Sequence, residues 1–249
     1  ATTEIYTLSL HDALPIFNFS VYFLVLHRRL KEALKSDELR FFLGVVAAAT
    51  VVITLDLLPI YQNTLESLRY AFFQVASIIS TTGFATVDFN LWPVFSKMLL
   101  VLLMIFGACA GSTGGGIKAA RVALLFKAAR RNIRRMLRPR SVSQVHMDGQ
   151  LVDEDTIQGT YSYLTVYALI AAFSMLLIAV DEFSLETNVT AVMACLNNIG
   201  PGMDVVGPIG NYASFSNFSK LILSFDMLVG RLEIFPMLML FVPAAWRRN

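Results

Sequence analysis

Long apolar stretches alternate with short ones along this chain. Stretches close to the roughly 20 residues that a helix needs to cross a bilayer cover 41–61, 98–117, 163–180 and 221–242. The stretches 65–80 and 185–198 are also helix-like, but they are too short to cross. The pattern therefore predicts an all-α membrane protein with spanning helices and two short re-entrant helices.

Each short helix is followed by a polar turn that contains glycine. The first turn is TTGF at 81–84, and the second is NIGP at 198–201. A unit of long helix, short helix, glycine turn and long helix therefore occurs twice. Repeats in membrane proteins usually pack around a shared axis or interface, and the substrate site lies there.

The composition agrees with a membrane protein. Of the 249 residues, 56% are hydrophobic and 15% are charged, whereas about 25% are charged in soluble domains. The mean hydropathy is +0.62. Cys109 and Cys195 both lie in apolar surroundings, where a cysteine behaves as a small buried residue rather than as part of a disulfide framework.

The positive charges predict the orientation of the helices. Of the 20 Lys and Arg residues, only Arg69, Lys97 and Lys220 lie on the connections that carry the glycine turns. Because cytoplasmic connections are rich in Lys and Arg, both turns are expected to enter the membrane from outside. That side carries acids that would concentrate cations, namely Asp56, Glu66, Asp88, Asp181, Glu182, Glu186 and Asp204.

A short re-entrant helix that ends in a glycine turn is suited to binding a dehydrated cation. Backbone outside a helix is tolerated at membrane depth only where protein or a water-filled cavity satisfies it. Glycine permits backbone angles that place successive carbonyl groups on one side, where they replace the water shell of the ion. The two turns therefore favour a pore over two ordinary extracellular loops.

A run of four glycines within six residues, at 111–116, interrupts the second long stretch. Such a density unwinds a helix, and the segment 98–135 is far longer than one membrane thickness if it is all helix. We therefore expect a break inside the membrane rather than close packing of an intact helix. The run resembles a phosphate-binding loop, but Ile117 precedes Lys118 and no Ser or Thr follows, so a nucleotide site is not expected.

Arg231 is a charge within the last apolar stretch. Such charges are costly and usually face an aqueous path or a partner. The alternative is a structural ion pair with Asp226 or Glu233. No spacing is typical of a catalytic triad or a carboxylate pair, so the sequence does not predict an enzyme.

The first sixteen residues, ATTEIYTLSLHDALPI, stand apart from the rest. They can be written in codons as a common sequencing-library adapter read in frame, and we interpret 1–16 as that artefact rather than as a short amphipathic N-terminus. Native sequence is then expected from Phe17 onward, in a protein that begins further upstream.

Four stretches resemble the TrkH-type potassium uptake subunits of the Trk/Ktr/HKT cation transporter superfamily. In the order of the family they are AFFQVASIISTTGFATVDFNLWP, GACAGSTGGGIKAARVALLFK, ACLNNIGPG and GRLEIFPMLMLF. The resemblance runs from Phe17 to Asn249. It implies a potassium-channel-like pore built from four repeated helix–re-entrant pore helix–helix units, of which this chain would contain the third and fourth.

The resemblance also implies a division of the chain. Its parts are the artefact at 1–16, the end of the second-repeat helix with a cytoplasmic linker at 17–36, the third repeat with a broken second helix at 37–140, a cytoplasmic linker at 141–156, and the fourth repeat at 157–249.

The residues of the ion path follow from the same resemblance. The selectivity filter would be Thr81, Thr82, Gly83 and Phe84 in the third repeat and Asn198, Ile199, Gly200 and Pro201 in the fourth. Potassium would bind at Thr81, Thr82, Asn198 and Ile199. Asn and Pro replace the Thr and Phe of the other repeat, a divergence that the TrkH branch shares. The gate would be the loop Gly111, Ser112, Thr113, Gly114, Gly115 and Gly116 together with Arg231.

The implied function is potassium uptake across the bacterial inner membrane, with potassium as substrate and no cofactor in this chain. Family members work as homodimers with a cytosolic ring of nucleotide-binding regulatory subunits, and the basic tract 127–140 would face that ring or anionic lipid. No nucleic-acid partner is expected. The alternatives are a sodium-coupled Ktr-like transporter and a non-conducting membrane scaffold or receptor subunit. The coupling ion, whether a proton as in a symporter, sodium or none, is left open.

Overall fold

The computed structural model describes residues 36–112, 114–138, 144–232 and 234–239. The interpreted adapter segment 1–16, the linker that follows it, Thr113, Glu233 and the basic C-terminus lie outside the described residues.

The first unit, residues 37–137, contains four helices. These are α1 at Asp37–Tyr61, α2 at Thr64–Ile79, α3 at Val94–Ile105 and α4 at Ala119–Leu137. α1 begins with two acids, which favour the positive end of the helix dipole, and it ends where Gln62 adopts a left-handed φ of 52°. α2 begins after Asn63, whose side chain accepts a hydrogen bond from the Leu65 N–H.

The second unit, residues 154–239, repeats the order of long helix, short helix and turn. Its helices are α5 at Glu154–Ile178, α6 at Leu185–Leu196, α7 at Asn217–Leu232 and α8 at Ile234–Met239. Short 3-10 turns cover Phe89–Leu91, Ala179–Asp181 and Asp204–Val206. Two helical segments, Asp37–Tyr61 and Glu154–Asp181, are long and apolar enough to cross a membrane. The repeated helical order predicted from the hydrophobic pattern is confirmed.

The predicted break in the second long stretch is also present. α3 ends at Ile105, and α4 begins at Ala119. Between them, the Gly107 N–H donates to the Ile117 carbonyl at 2.8 Å, and the Ile117 N–H donates to the Ile105 carbonyl at 3.1 Å. The intervening loop therefore leaves and rejoins the helical path at nearly the same point.

A small β-hairpin lies between the two units. β1 at His146–Met147 pairs antiparallel with β2 at Gln150–Leu151. Val145, just before it, packs in one cluster with Leu124 of α4 and Ile157 of α5. The segment expected as a linker thus contains a packed hairpin that the hydrophobic pattern did not predict.

Each unit has a hydrophobic core, and the first core includes residues of the second unit. The core of α1, α2 and α3 also contains Ile199 and Met203, from the turn that follows α6. The second core contains Tyr167, Leu196 and Leu223 from α5, α6 and α7. The second glycine turn therefore packs against the first unit through the buried Ile199, which brings the two turns together.

Candidate ion pathway and gate

The two glycine turns have the same backbone hydrogen bonds. After α2, the N–H of Thr81 donates to a carbonyl three residues back and that of Thr82 to one five residues back, at 3.0 Å each. After α6, the N–H groups of Asn198 and Ile199 donate over the same separations, at 3.0 and 2.8 Å. The two units thus fold their turns alike although the side chains differ.

Left-handed backbone occurs at two equivalent positions of each turn. The φ angle is 58° at Thr81 and 56° at Asn198, and it is 75° at Gly83 and 104° at Gly200. Glycine adopts such angles freely and Asn tolerates them, whereas a β-branched Thr rarely does. Thr81 is held by its own Oγ1, which accepts a hydrogen bond from the Gly115 N–H at 3.2 Å.

The turns approach each other most closely at Gly83. A Cβ added there would overlap the Ile199 carbonyl oxygen and lie 2.8 Å from Cδ of Pro201. Glycine is therefore required at this position by space as well as by φ. Among the described residues, nothing lies within 4 Å of a Cβ added at Gly200.

Several carbonyl groups of the turns accept no hydrogen bond from the part of the chain that the structure describes. They belong to Thr81, Thr82, Gly83, Asn198 and Ile199. By contrast, Ser77 Oγ donates to the Phe84 carbonyl at 2.6 Å, and the Tyr212 hydroxyl donates to the Gly200 carbonyl at 2.7 Å. A carbonyl oxygen without a protein partner needs another one, and a dehydrated cation is such a partner.

Buried polar side chains support the base of each turn, and sequence reasoning did not single them out. Ser80 Oγ lies 2.6 Å from Thr82 Oγ1. The Tyr167 hydroxyl donates to Oδ1 of the fully buried Asn197 at 3.0 Å. The row of hydroxyls before the first turn was a visible signal, whereas the Tyr167–Asn197 pair joins two helices and has no local signal.

The glycine loop, residues 106–118, packs against the base of both turns through its described residues, 106–112 and 114–118. Its Gly115 N–H bonds to Thr81 as described, and a Cβ added at Gly114 would lie 3.6 Å from Thr81 Oγ1. A Cβ at Gly115 would overlap the Asn197 carbonyl. Lys118 Nζ donates to two carbonyls of the loop, which stabilises this compact path.

A cavity of about 310 Å³ lies beside the loop. Its lining includes the loop glycines Gly111, Gly114 and Gly116 and the cations Lys118, Arg121 and Arg231. The Arg121 guanidinium carbon lies 4.0 Å from the centroid of the Tyr163 ring, which also lines the cavity. The structure therefore brings the predicted gate loop and Arg231 together, and it adds two cations that sequence reasoning missed.

Of the two acids considered as alternative partners of Arg231, Asp226 is hydrogen-bonded within the second unit, and Glu233 lies outside the described residues. Asp226 is fully buried, and its Oδ1 accepts from Ser174 Oγ at 2.7 Å. A Cβ added at Gly230, the neighbour of Arg231, would overlap the Leu196 carbonyl. α7 thus packs directly on the end of α6, and this contact places Arg231 beside the cavity.

Several of the acids expected on the outer side accept hydrogen bonds at helix starts or pair with a lysine. Asp56 accepts from both the N–H and the hydroxyl of Ser96, at 3.2 and 2.5 Å, at the start of α3. Glu186 pairs with Lys97 of the other unit at 3.0 Å. The ion pair with Lys97 offsets the charge of Glu186, whereas the neutral donors of Ser96 leave the charge of Asp56 in place, so the acidic rim expected from the sequence is weakened at Glu186.

Asp204 binds the hydroxyls at the start of α6, where Ser184 is the N-cap, and it joins the two units. Its carboxylate accepts from Ser184 Oγ at 2.6 Å and from Thr187 Oγ1 at 2.7 Å, and these two bonds hold the pKa of Asp204 below its usual value. Its main-chain N–H donates to Oδ1 of Asn90 at 2.9 Å, and its carbonyl accepts from Nδ2 of Asn90 at 3.2 Å. The loop that follows the first turn, at Asn90, is therefore hydrogen-bonded to the loop that follows the second turn, at Asp204.

Comparisons with known proteins agree with this arrangement. Residues 38–248 match the family model TrkH, described as a cation transport protein. The Trk system potassium uptake protein TrkH of Salmonella typhimurium is 40% identical over 236 residues, which are 92% of this chain and 48% of that protein. The protein TrkG of Escherichia coli K12 is 31% identical, over 94% of this chain and 48% of that protein.

A solved structure shares the fold. The crystal structure of the potassium transporter TrkH from Vibrio parahaemolyticus matches with a TM-score of 0.87 and 31% identity, over 96% of this chain and 52% of that chain. The chain spans about half the length of the curated relatives it matches.

Proposed function

Because this chain belongs to the TrkH family of cation transport proteins, an integral membrane family, we propose that it forms half of a potassium-conducting pore. Its two units would be the third and fourth of four repeats around one axis. The observation that carries this proposal is the pair of matched glycine turns, which meet where Gly83 faces the Ile199 carbonyl and whose carbonyl oxygens include several that accept no hydrogen bond from the described residues.

Potassium would be held by these carbonyl oxygens in place of water, chiefly at Thr81, Thr82, Asn198 and Ile199. The buried supports at Ser80 and Asn197 restrict the turns, and a restricted filter resists collapse around a smaller ion. The substrate is the ion itself, and the proposal needs no cofactor.

The glycine loop would act as the gate. It lies against the base of both turns, and a cavity that it shares with Arg231 would form part of the inner path. A positive charge beside a cation path raises the energy of the ion there. Withdrawal of the loop would therefore open the path both sterically and electrostatically.

The proposed setting is the bacterial inner membrane, with the turns outside and the basic connections in the cytoplasm. The relatives are named as parts of a Trk system, which supports work with partner subunits. We extend this to a homodimer that carries a cytosolic nucleotide-binding ring. The basic, exposed end of α4, at Arg134 and Arg135, would face that ring or anionic lipid.

Potassium uptake tests the proposal. The full-length protein that carries this sequence should restore growth at low potassium to cells without their own uptake systems, and the isolated chain should not. Two of four filter turns leave an open side, where unpaired backbone cannot face lipid. Uptake by the isolated chain, or a correctly inserted full-length protein that passes no potassium, would contradict the proposal. An absolute requirement for sodium would indicate the Ktr-like alternative.

A further inference from the structure

A buried carboxylate at the start of α1 accepts hydrogen bonds from the glycine loop and from the helix that follows it. Glu38 is 8% exposed. Its Oε1 accepts a hydrogen bond from the Ala110 N–H at 2.5 Å and another from the Ala120 N–H at 3.2 Å. One donor lies within the loop and the other just beyond it, so a single oxygen joins the interior of the loop to the start of α4.

The two donors have a physical need for this acceptor. Ala120 is in the first turn of α4, where N–H groups have no partner within the helix, and Lys118 at the N-cap provides no side-chain cap. The Ala110 N–H lies in irregular backbone. Hydrogen bonds to an ionised acceptor are shorter and about twice as strong as neutral ones, and water has little access to Glu38 to compete with them.

We propose that Glu38 is the positioning residue that holds the glycine loop in place beneath the two turns. This inference rests on the proposed function, because it assigns Glu38 the closed position of the gate. The loop also bonds to Thr81 through Gly115, so loss of the Glu38 contacts would free the side of the loop away from the filter.

The residue beside Glu38 connects this pair of hydrogen bonds to the hairpin. The Asp37 N–H donates to Oδ1 of Asp148 at 2.6 Å, and the Asp148 N–H donates to Oδ2 of Asp37 at 3.1 Å. Lys127 Nζ bridges Asp37 at 2.6 Å and the His146 carbonyl at 2.9 Å. A displacement of the hairpin would therefore move the first turn of α1, and Glu38 with it.

The test compares Glu38→Ala and Glu38→Gln in the full-length protein. The control is Glu154→Gln, which weakens the two bonds between Glu154 and Arg131, at 2.7 and 2.9 Å, without touching the loop. The readouts are potassium flux per folded transporter and the rate at which Ser112→Cys, in a background without other cysteines, reacts with a thiol reagent from the cytoplasmic side.

Glu38→Ala should raise both the closed-state flux and the labelling rate about tenfold, because two charge-assisted hydrogen bonds are lost. Glu38→Gln, which keeps a neutral acceptor in place, should fall between Ala and wild type, and Glu154→Gln should match wild type. Where the loop is shortened by deletion of Gly114 and Gly115, Glu38→Ala should change flux no further, because the element it positions is already altered.

The results separate the inference from the function on which it rests. If the wild-type full-length protein passes no potassium, the proposed function is wrong. If it conducts while both Glu38 variants keep wild-type flux and labelling per folded molecule, the positioning role is wrong. If only the folded amount falls, Glu38 contributes to stability and does not position the loop. If the Ala variant does not fold, the Gln variant, which preserves the shape of the side chain, is used to test the positioning role.

Discussion

The two units fold the same segment alike and the next one differently. Their glycine turns share backbone bonds and left-handed positions at Thr81 and Asn198. After the turns they diverge, since α3 ends at Ile105 and gives way to the loop, whereas α7 is continuous from Asn217 to Leu232. In the proposed pore, a ring of carbonyl oxygens needs a turn from every repeat, whereas a single loop is enough to close the path. The difference therefore separates the part of the unit that must be repeated from the part that needs to occur once.

The largest effect is expected where the turns meet. Gly83→Ser should lower potassium flux or potassium-over-sodium selectivity by about tenfold or more, because a side chain there requires a strained φ and collides with the Ile199 carbonyl. Gly200→Ser also requires a strained φ, but its side chain would collide with none of the described residues. The loss of flux or selectivity should therefore be smaller for Gly200→Ser than for Gly83→Ser. Permeation ratios of the two variants, measured at equal folded amounts, test this order.

Equal losses of flux or selectivity in Gly83→Ser and Gly200→Ser would contradict this order. They would indicate that, in the full-length protein, a turn from another repeat faces Gly200 as closely as Ile199 faces Gly83. No change at Gly83 in either flux or selectivity would make the filter assignment wrong.

A smaller, opposite effect is expected at the loop. Deletion of Gly114 and Gly115 should raise closed-state flux, because the plug is shortened. Arg231→Ala should raise it as well, because a positive charge beside the cavity is removed. If both act on one closed state, the double variant should fall short of the sum. Flux per folded transporter is the measurement, with Lys220→Ala, a cation of the same helix that does not line the cavity, as the matched control.

The ion-pair alternative for Arg231 predicts the reverse. If the arginine only neutralised Asp226 or Glu233, then Arg231→Ala would lower the folded amount and the total flux together. If flux per folded molecule is unchanged or lower in both the loop variant and the arginine variant, the assignment of the glycine loop and Arg231 as the gate is wrong.

The smallest effect concerns how the two short helices are capped. Both helices have neutral N-caps, Ser184 for α6 and Asn63 for α2, but at the start of α6 the ionised Asp204 accepts hydrogen bonds from the hydroxyls of Ser184 and Thr187. Since the folded pKa of Asp204 is lowered, its contribution to stability is complete above the unfolded value near 3.9 and is lost as pH falls through the folded value. Thermal unfolding between pH 6 and pH 3 should show this loss, and Asp204→Asn should remove it. The same slope in the variant would exclude Asp204 as its source.

The sequence predicted what depends on local pattern. The helices, the two short re-entrant segments and the break at the glycine run follow from apolar length and glycine density, and most lie where they were expected to within about five residues, whereas α5 begins at Glu154, well before the apolar stretch 163–180. The turns were also found from sequence, because a glycine with hydroxyl neighbours interrupts an apolar stretch at Thr82 and Gly83.

The rest depends on contacts between distant residues. Glu38 and Ala110 are 72 positions apart, and the bonds between Asn90 and Asp204 span 114, so no periodicity reports them. In the sequence, Arg121 looks like any other charge of a basic helix. Only the structure shows that its guanidinium lies over the Tyr163 ring. The hairpin was missed because its strands have two residues each, too few for an alternating pattern.

The presence of Ile199 and Met203 in the core of the first unit has a consequence for biosynthesis. Translation completes the first unit while those two residues have not yet been made. Its helices are therefore inserted around an unfilled space, and they must remain soluble in lipid, without a final packing, during the synthesis of about another sixty residues. The core of the first unit is completed only when Ile199 and Met203 have been made. A ribosome stalled between the two units should therefore leave a nascent chain that is inserted but still accessible to membrane proteases.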